Sequence, residues 1–427
     1  RIDMNCAFTN ARLIDPANGL DEMGNLIVEN GKIFALGKNA KAPSGVKTHD
    51  CKGMAVLPGL VDMQVFTGEP GEEHRETLAT ASQAAAAGGV TTMITMPNTN
   101  PVIDDAALVD FISRRARDTA IVRVHPMAAL TKGCDGQSMT EFGLLSEAGA
   151  VAFTDGDRAV MNALTMRRAL SYAGTFDALI VQHAMDQDLQ SAGVMHESEL
   201  ATRLGLAGIP VAAETAIIDR DLRLVELTGA RYHIALISSA ESVETVRAAK
   251  KKGLPVSCGV SATHLMLNQN DVENYRTFAK LSPPLRREED RLALIAGVAD
   301  GTIDVVVSGH NPQNEEAKRQ PFAQAAYGTV GVETLLAGLL TLHHADGVPL
   351  DRLLSCVTAR PAELLGLEGG TLSVGARADF AIADLDAPWV VHADTLRSKS
   401  QNAAIDKRKV QGQVLACYVD GEVVFEL

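Results

Sequence analysis

A chain of 427 residues is long enough for one large domain and a smaller one, and its formal net charge of −14 argues against a nucleic-acid or anionic-membrane partner. No apolar run approaches the ~20 residues of a membrane span, and no charged-then-apolar leader opens the chain, so the expectation is a soluble cytoplasmic protein. Its six cysteines, at 6, 51, 134, 258, 356 and 417, show no C-x-x-C spacing and read as reduced thiols.

Residues 1–54 read as short strands. Two of them, at 26–29 and 32–36, flank Asn30-Gly31, a hairpin signal because a type I′ turn needs positive φ. The other end repeats the style around Asp420-Gly421. The expectation is one small β domain, of β-sandwich type, made from residues 1–54 and 368–427, with a barrel over 55–367 between its halves. In that middle, strand patterns near 57–66, 90–96, 121–125, 150–154, 178–183, 232–238, 255–258 and 303–308 alternate with helical ones. Eight βα units predict an α/β fold of the (β/α)8, TIM-barrel type, whose chemistry sits at the C-terminal mouth. An open doubly wound sheet is the competing architecture, but no G-x-G-x-x-G follows the first strand. The first helix is expected to begin within Glu72–Glu76 and to end at Gly88-Gly89. Strict alternation along 57–66 would turn Asp62, Gln64 and Phe66 to one inward face.

The words after the first strand are specific. Glu69-Pro70-Gly71-Glu72-Glu73-His74, Ala87-Gly88-Gly89-Val90-Thr91-Thr92 and Met96-Pro97-Asn98-Thr99-Asn100-Pro101 come in succession. Later come Ser282-Pro283-Pro284-Leu285-Arg286, Asp300-Gly301-Thr302-Ile303-Asp304-Val305 and Gly331-Val332-Glu333-Thr334. Together they resemble the dihydroorotases of the cyclic amidohydrolase superfamily, in the family's order and over nearly the whole chain. The resemblance implies a barrel flanked by a small β domain. It also implies hydrolysis of a cyclic amide or its reverse, ring closure of carbamoyl aspartate to dihydroorotate. In that chemistry zinc activates water and an aspartate after the last barrel strand moves the proton.

Carried over position by position, the resemblance exposes replacements. The family's His-x-His on the first strand is Gln64 and Phe66, and its substrate-binding arginine is Gly68. Neither a phenyl ring nor a glycine offers a lone pair or a charge. Asp155 and His183 match metal ligands of the fourth and fifth strands, whereas the ligand histidine of the sixth is Leu236. Standing alone, a carboxylate reads as a helix cap and a histidine as a hydrogen-bonded core residue. The family's substrate-contacting asparagine is Ser282, its catalytic aspartate is Gly309, and its substrate-binding histidine is Gln313. Asn98 and His310 survive and read as structural or pocket-lining residues.

With so many groups replaced, no zinc and no other cofactor is expected. The leading expectation is a catalytically inactive homologue, similar to the non-catalytic dihydroorotases that partner aspartate transcarbamoylase, with that enzyme as its partner and a homo-oligomer as a further expectation. Phe66 and Leu236 are expected to fill the space of metal and substrate. The alternative is an active cyclic amidohydrolase with a non-standard or metal-independent site, in which Asp155, His183, Cys258 and His310 gather at the mouth. A nucleophile–base contact at hydrogen-bond distance is the feature that would favour it. An ordinary zinc enzyme would need ligands from elsewhere, and His264 is one imidazole where three are missing.

Overall fold

The protein is described by a computed structural model over residues 6–427. Residues 1–5 of the expected small β domain lie outside the described residues.

Four parallel strands stand side by side in the order Val305–Val307, Val256–Ser261, Tyr232–Ile234, Ile180–Gln182. Three more run Leu60–Val65, Val90–Thr95, Arg123–Pro126. Phe153, between Arg123–Pro126 and Ile180–Gln182 in the chain, bridges to Ala128 on one side and Ile180 on the other, which joins the two groups. At the opposite seam Val65 bridges to His310, and the Phe66 N–H donates to the His310 carbonyl at 2.9 Å. Eight strand positions therefore close on themselves in the expected barrel. The strands are short and mostly buried, as parallel strands covered by helices on one face and by one another on the other must be, with the half-buried Arg123–Pro126 the exception.

The first helix, Leu78–Ala87, starts later than the charge pattern predicts. Thr77 caps it, accepting from the Thr80 N–H at 3.1 Å. Glu72 to Glu76 instead form a turn: the Glu72 N–H donates to Gly68 O at 2.7 Å and the Arg75 N–H to Glu72 O at 2.9 Å. That turn leaves Arg75 free to reach the barrel mouth. The helix ends where the backbone must approach its neighbour closely. A Cβ on Gly88 would lie 2.4 Å from the Val332 carbonyl oxygen.

The strands from both ends of the chain build one eight-stranded sheet. Lys409–Val419, Phe380–Val390, Ala55–Pro58 and Cys6–Asp15 are consecutive neighbours in it. Both expected hairpins form, with positive φ at Asn30-Gly31 and at Asp420-Gly421. Their tips meet: the Ala378 N–H donates to Gly31 O and the Gly421 N–H to Ala378 O, each at 2.9 Å. Phe380 and Tyr418 stack at the centre of this sheet's own core, and Phe8 meets both rings edge-on. Arg123 couples sheet to barrel through Asp379 at 2.6 Å and Asp420 at 2.6 Å. Among the described residues no helix is long and apolar enough to cross a membrane.

Two glycines test this packing in opposite directions. Gly88→Ala forces backbone apart and should destabilise the protein by about 1–3 kcal/mol. Gly174 lies in the helix Ala163–Thr175 with no atom near its absent Cβ, so Gly174→Ala should stabilise by up to ~1 kcal/mol. Urea unfolding midpoints of the two variants against the parent check both signs.

Candidate active site at the barrel mouth

The first barrel strand does not alternate regularly. Asp62 pairs with Met93 and Val65 with Thr95, so three steps on this strand match two on the next. The extra residue re-aims the side chains beyond it. Met63 and Phe66 join the apolar filling of the barrel, and Gln64 faces the cavity above. Asp62 does not share their face, contrary to the alternation rule. Its Oδ1 accepts from the Ser308 N–H at 3.1 Å and the Gln64 N–H at 3.3 Å, while its Oδ2 is buried with no partner. Burial pushes this carboxyl up to about 6.

Above the strands lies a cavity of about 690 Å³. Gln64, Phe66, Asn98, His183, Leu236, Ser282, Gly309, His310 and Gln313 all line it. Phe66 and Leu236 are buried in its wall but do not fill it, which corrects the expectation of a plugged site. The room exists because both side chains pack down into the barrel's apolar interior rather than across its mouth.

Two of the expected positions are elsewhere. Gly68 has φ +70, and a Cβ there would meet Glu76 O at 2.4 Å and Glu72 O at 2.6 Å. The position is a turn that accepts no side chain, not a gap left by a shortened one. Asp155 points away from the cavity and is held by the Thr131 N–H at 2.8 Å and the Thr131 hydroxyl at 2.5 Å. It caps no helix, since Asn162 caps the next one. Cys258 sits fully buried in the barrel wall, 3.6 Å from Thr302 O. The expected gathering of Asp155, His183, Cys258 and His310 therefore does not occur.

The surviving histidines differ in freedom. His310 is fully committed: its Nε2 lies 3.1 Å from Glu76 Oε2, and its Nδ1 accepts from the Gly331 N–H at 3.1 Å. His183 meets only the Ser282 hydroxyl, at 3.1 Å through Nε2, and burial lowers its pKa. His264 is the most specifically arranged. Its Nε2 donates to Pro283 O at 2.8 Å, which leaves Nδ1 to accept, and the Ser261 hydroxyl lies 2.6 Å from that Nδ1. Ser261 ends the seventh barrel strand and also caps the short helix Ala262–Met266. Both residues line the cavity. Reading motifs alone passes over Ser261, because a Ser three residues before a His looks like any N-cap.

Arg75 is the other residue that the sequence does not single out. It reaches the cavity wall with its guanidinium 4.0 Å above the Phe66 ring. Arg158 and Asp157 stand at the exposed rim. Tyr327 closes one side, donating to Gly193 O at 2.7 Å, and Gln313 holds that loop through Tyr327 O at 2.8 Å.

The zinc that the fold family implies does not fit these donors. Gln64, Phe66, Leu236 and Gly309, where the resemblance implies ligands and base, offer neither an imidazole nor a carboxylate, and Asp155 is turned onto Thr131. Among the described residues no three His, Cys, Asp or Glu side chains stand close enough to hold a metal ion.

Comparison with known proteins agrees with this fold. A family profile described as dihydro-orotase-like matches residues 53–242, and one described as amidohydrolase family matches 342–425. The dihydroorotase of Pelobacter propionicus is 42% identical, with 99% of this chain and 100% of that protein covered. That of Anaplasma phagocytophilum is 41% identical, covering 98% of this chain and 95% of the other. Among solved structures, the L-hydantoinase (dihydropyrimidinase) of Arthrobacter aurescens superposes with a TM-score of 0.88 at 26% identity, over 99% of this chain and 96% of its own. The expectation of a catalytically inactive protein is corrected by these relatives. They match nearly end to end and are named for an enzyme, and nothing about them indicates lost activity.

Three buried histidines predict how the fold responds to acid. Burial pushes His196, His233 and His264 each down to about 4. Unfolded, each titrates at ~6.5. Between those values the unfolded chain binds more protons than the folded one, so stability must fall as the pH drops from about 6.5 to about 4. Asp62, raised to about 6, and Asp155, Asp221 and Glu333, also raised by burial, oppose this in part of the window, whereas His49, His125 and His183, lowered by burial, add to it. The urea midpoint should therefore decline steadily over that range. A midpoint that stayed level would show that these imidazoles are not held neutral.

Proposed function

Because the chain belongs to the dihydroorotase family of amidohydrolases, we propose that it opens or closes a cyclic amide at the barrel mouth, dihydroorotate and carbamoyl aspartate being the substrate pair, and that it does so without the family's zinc set. The observation that carries this reading is the Ser261–His264 contact at 2.6 Å on the wall of an open cavity.

The roles follow from the hydrogen bonds. Pro283 O keeps the proton of neutral His264 on Nε2, so Nδ1 is the basic atom. Burial keeps the ring neutral through the physiological range. His264 Nδ1 accepts the hydroxyl proton as Ser261 Oγ attacks the ring carbonyl. The Oγ–C bond forms, the ring C–N bond breaks, and the departing nitrogen takes the proton from Nδ1. Water then attacks the ester by the same base, releasing carbamoyl aspartate and restoring Ser261. Asn98 presents a buried Oδ1 without a protein partner, an acceptor suited to a ring N–H. Gly156 makes room for it, since a Cβ there would sit 2.4 Å from the Asn98 side chain. Association with aspartate transcarbamoylase suits an enzyme as well as a scaffold and is kept as a separate proposal. Co-elution of the two proteins on a sizing column supports it and independent elution at micromolar concentration removes it.

The activity test is direct. Dihydroorotate formation from carbamoyl aspartate should scale with protein concentration and persist after dialysis against a chelator. Ser261→Ala should lower kcat by about 10³-fold or more. Absence of turnover by the parent protein, or loss of activity on chelation, would overturn the reading.

A further inference from the structure

A cation stands on the cavity wall where the family-matched position, Gly68, can carry none. Arg75 comes from the turn that replaces the start of the first helix, and its guanidinium carbon lies over the Phe66 ring at 4.0 Å. Its Nε donates to Pro312 O at 2.8 Å, its Nη2 to Asn311 Oδ1 at 2.7 Å and its Nη1 to Glu72 at 2.5 Å. These contacts use three of the five N–H groups of a guanidinium and hold its plane still. The side chain is only 15% exposed. Glu72 pairs with it and Asp157 stands on the same wall, yet burial outweighs both carboxylates and leaves the cation under-compensated. An arginine held in this way, with N–H groups to spare beside a cavity, is suited to a planar anion.

We propose that Arg75, carried on the Phe66 ring, selects ligands that bear a carboxylate for the cavity at the barrel mouth. The inference rests on the proposed cyclic-amide chemistry and adds which group on the substrate is recognised and by what. It gives Phe66 a role as well. A phenyl ring at this position serves as the platform for the cation, and its aromatic face strengthens the charge it supports. Arg158, exposed at the rim beside Asp157, has no comparable fixed geometry.

The experiment compares two probes with the same ring. Dihydroorotate carries the carboxylate, and dihydrouracil lacks it. Calorimetric titration of the parent protein should show dihydroorotate bound more tightly, with a preference that shrinks as ionic strength rises. In Arg75→Gln the affinity for dihydroorotate should fall about 10- to 150-fold, while that for dihydrouracil stays where it was. Arg75→Lys keeps the charge but not the fork, and should lie between. Phe66→Leu, which removes the platform, should move dihydroorotate binding in the same direction as Arg75→Gln. Equal affinities for the two probes in the parent protein would overturn the proposal without any variant having to fold. Unchanged dihydroorotate binding in Arg75→Gln would overturn it while leaving the catalytic reading intact. Parent protein that binds neither probe would overturn both.

Discussion

The buried pair of His310 and Glu76 organises the mouth of the barrel. His310 closes the seam between the last and first strands through its carbonyl, which accepts from the Phe66 N–H. Its ring takes a backbone N–H from Gly331 on one side and meets Glu76 on the other. Glu76 in turn accepts from Thr80, from the Ser398 hydroxyl and from the Lys399 N–H. Three segments distant in the chain are thus tied to two side chains that have no access to water. A polar pair so enclosed is costly to break, because removal of either member strands the other. The turn that delivers Arg75 lies directly before Glu76, so the same constraint positions the cation on the cavity wall.

Phenyl, leucine and glycine at the mouth do not close the site. Phe66 and Leu236 pack downward, Gly309 takes a left-handed backbone at φ +62, and the volume above them stays open and mixed in character. The mouth carries two Ser–His contacts and a guanidinium set over a phenyl ring. The hydrogen bonds of His310 occupy both its ring nitrogens and give it a structural role. His264 is suited to act as the base, since one ring nitrogen is fixed by a carbonyl and the other is left basic.

Much of the architecture was legible in the chain itself, and the reason is local. Asn30-Gly31 and Asp420-Gly421 demand positive φ at successive residues, which only a tight hairpin satisfies. Runs such as Val305-Val306-Val307 are apolar on both faces, which only a covered parallel strand tolerates. Residue types also excluded chemistry with certainty: a phenyl ring cannot bind zinc wherever it points. Orientation was another matter. Asp62 left the inward face because pairing with the second strand slips by one residue, a property of two strands together. Asp155 turned from the cavity because Thr131, 24 positions earlier, offers it two hydrogen bonds. Arg75 gained its place from Pro312 and Asn311, and His264 its tautomer from Pro283, partners that no local pattern connects to them. By itself the sequence determined the barrel and the terminal sheet, since each depends on residue type and short-range periodicity. Tertiary structure alone decided that the mouth stays open and which side chains meet there, because those outcomes depend on hydrogen bonds and packing between segments far apart in the chain.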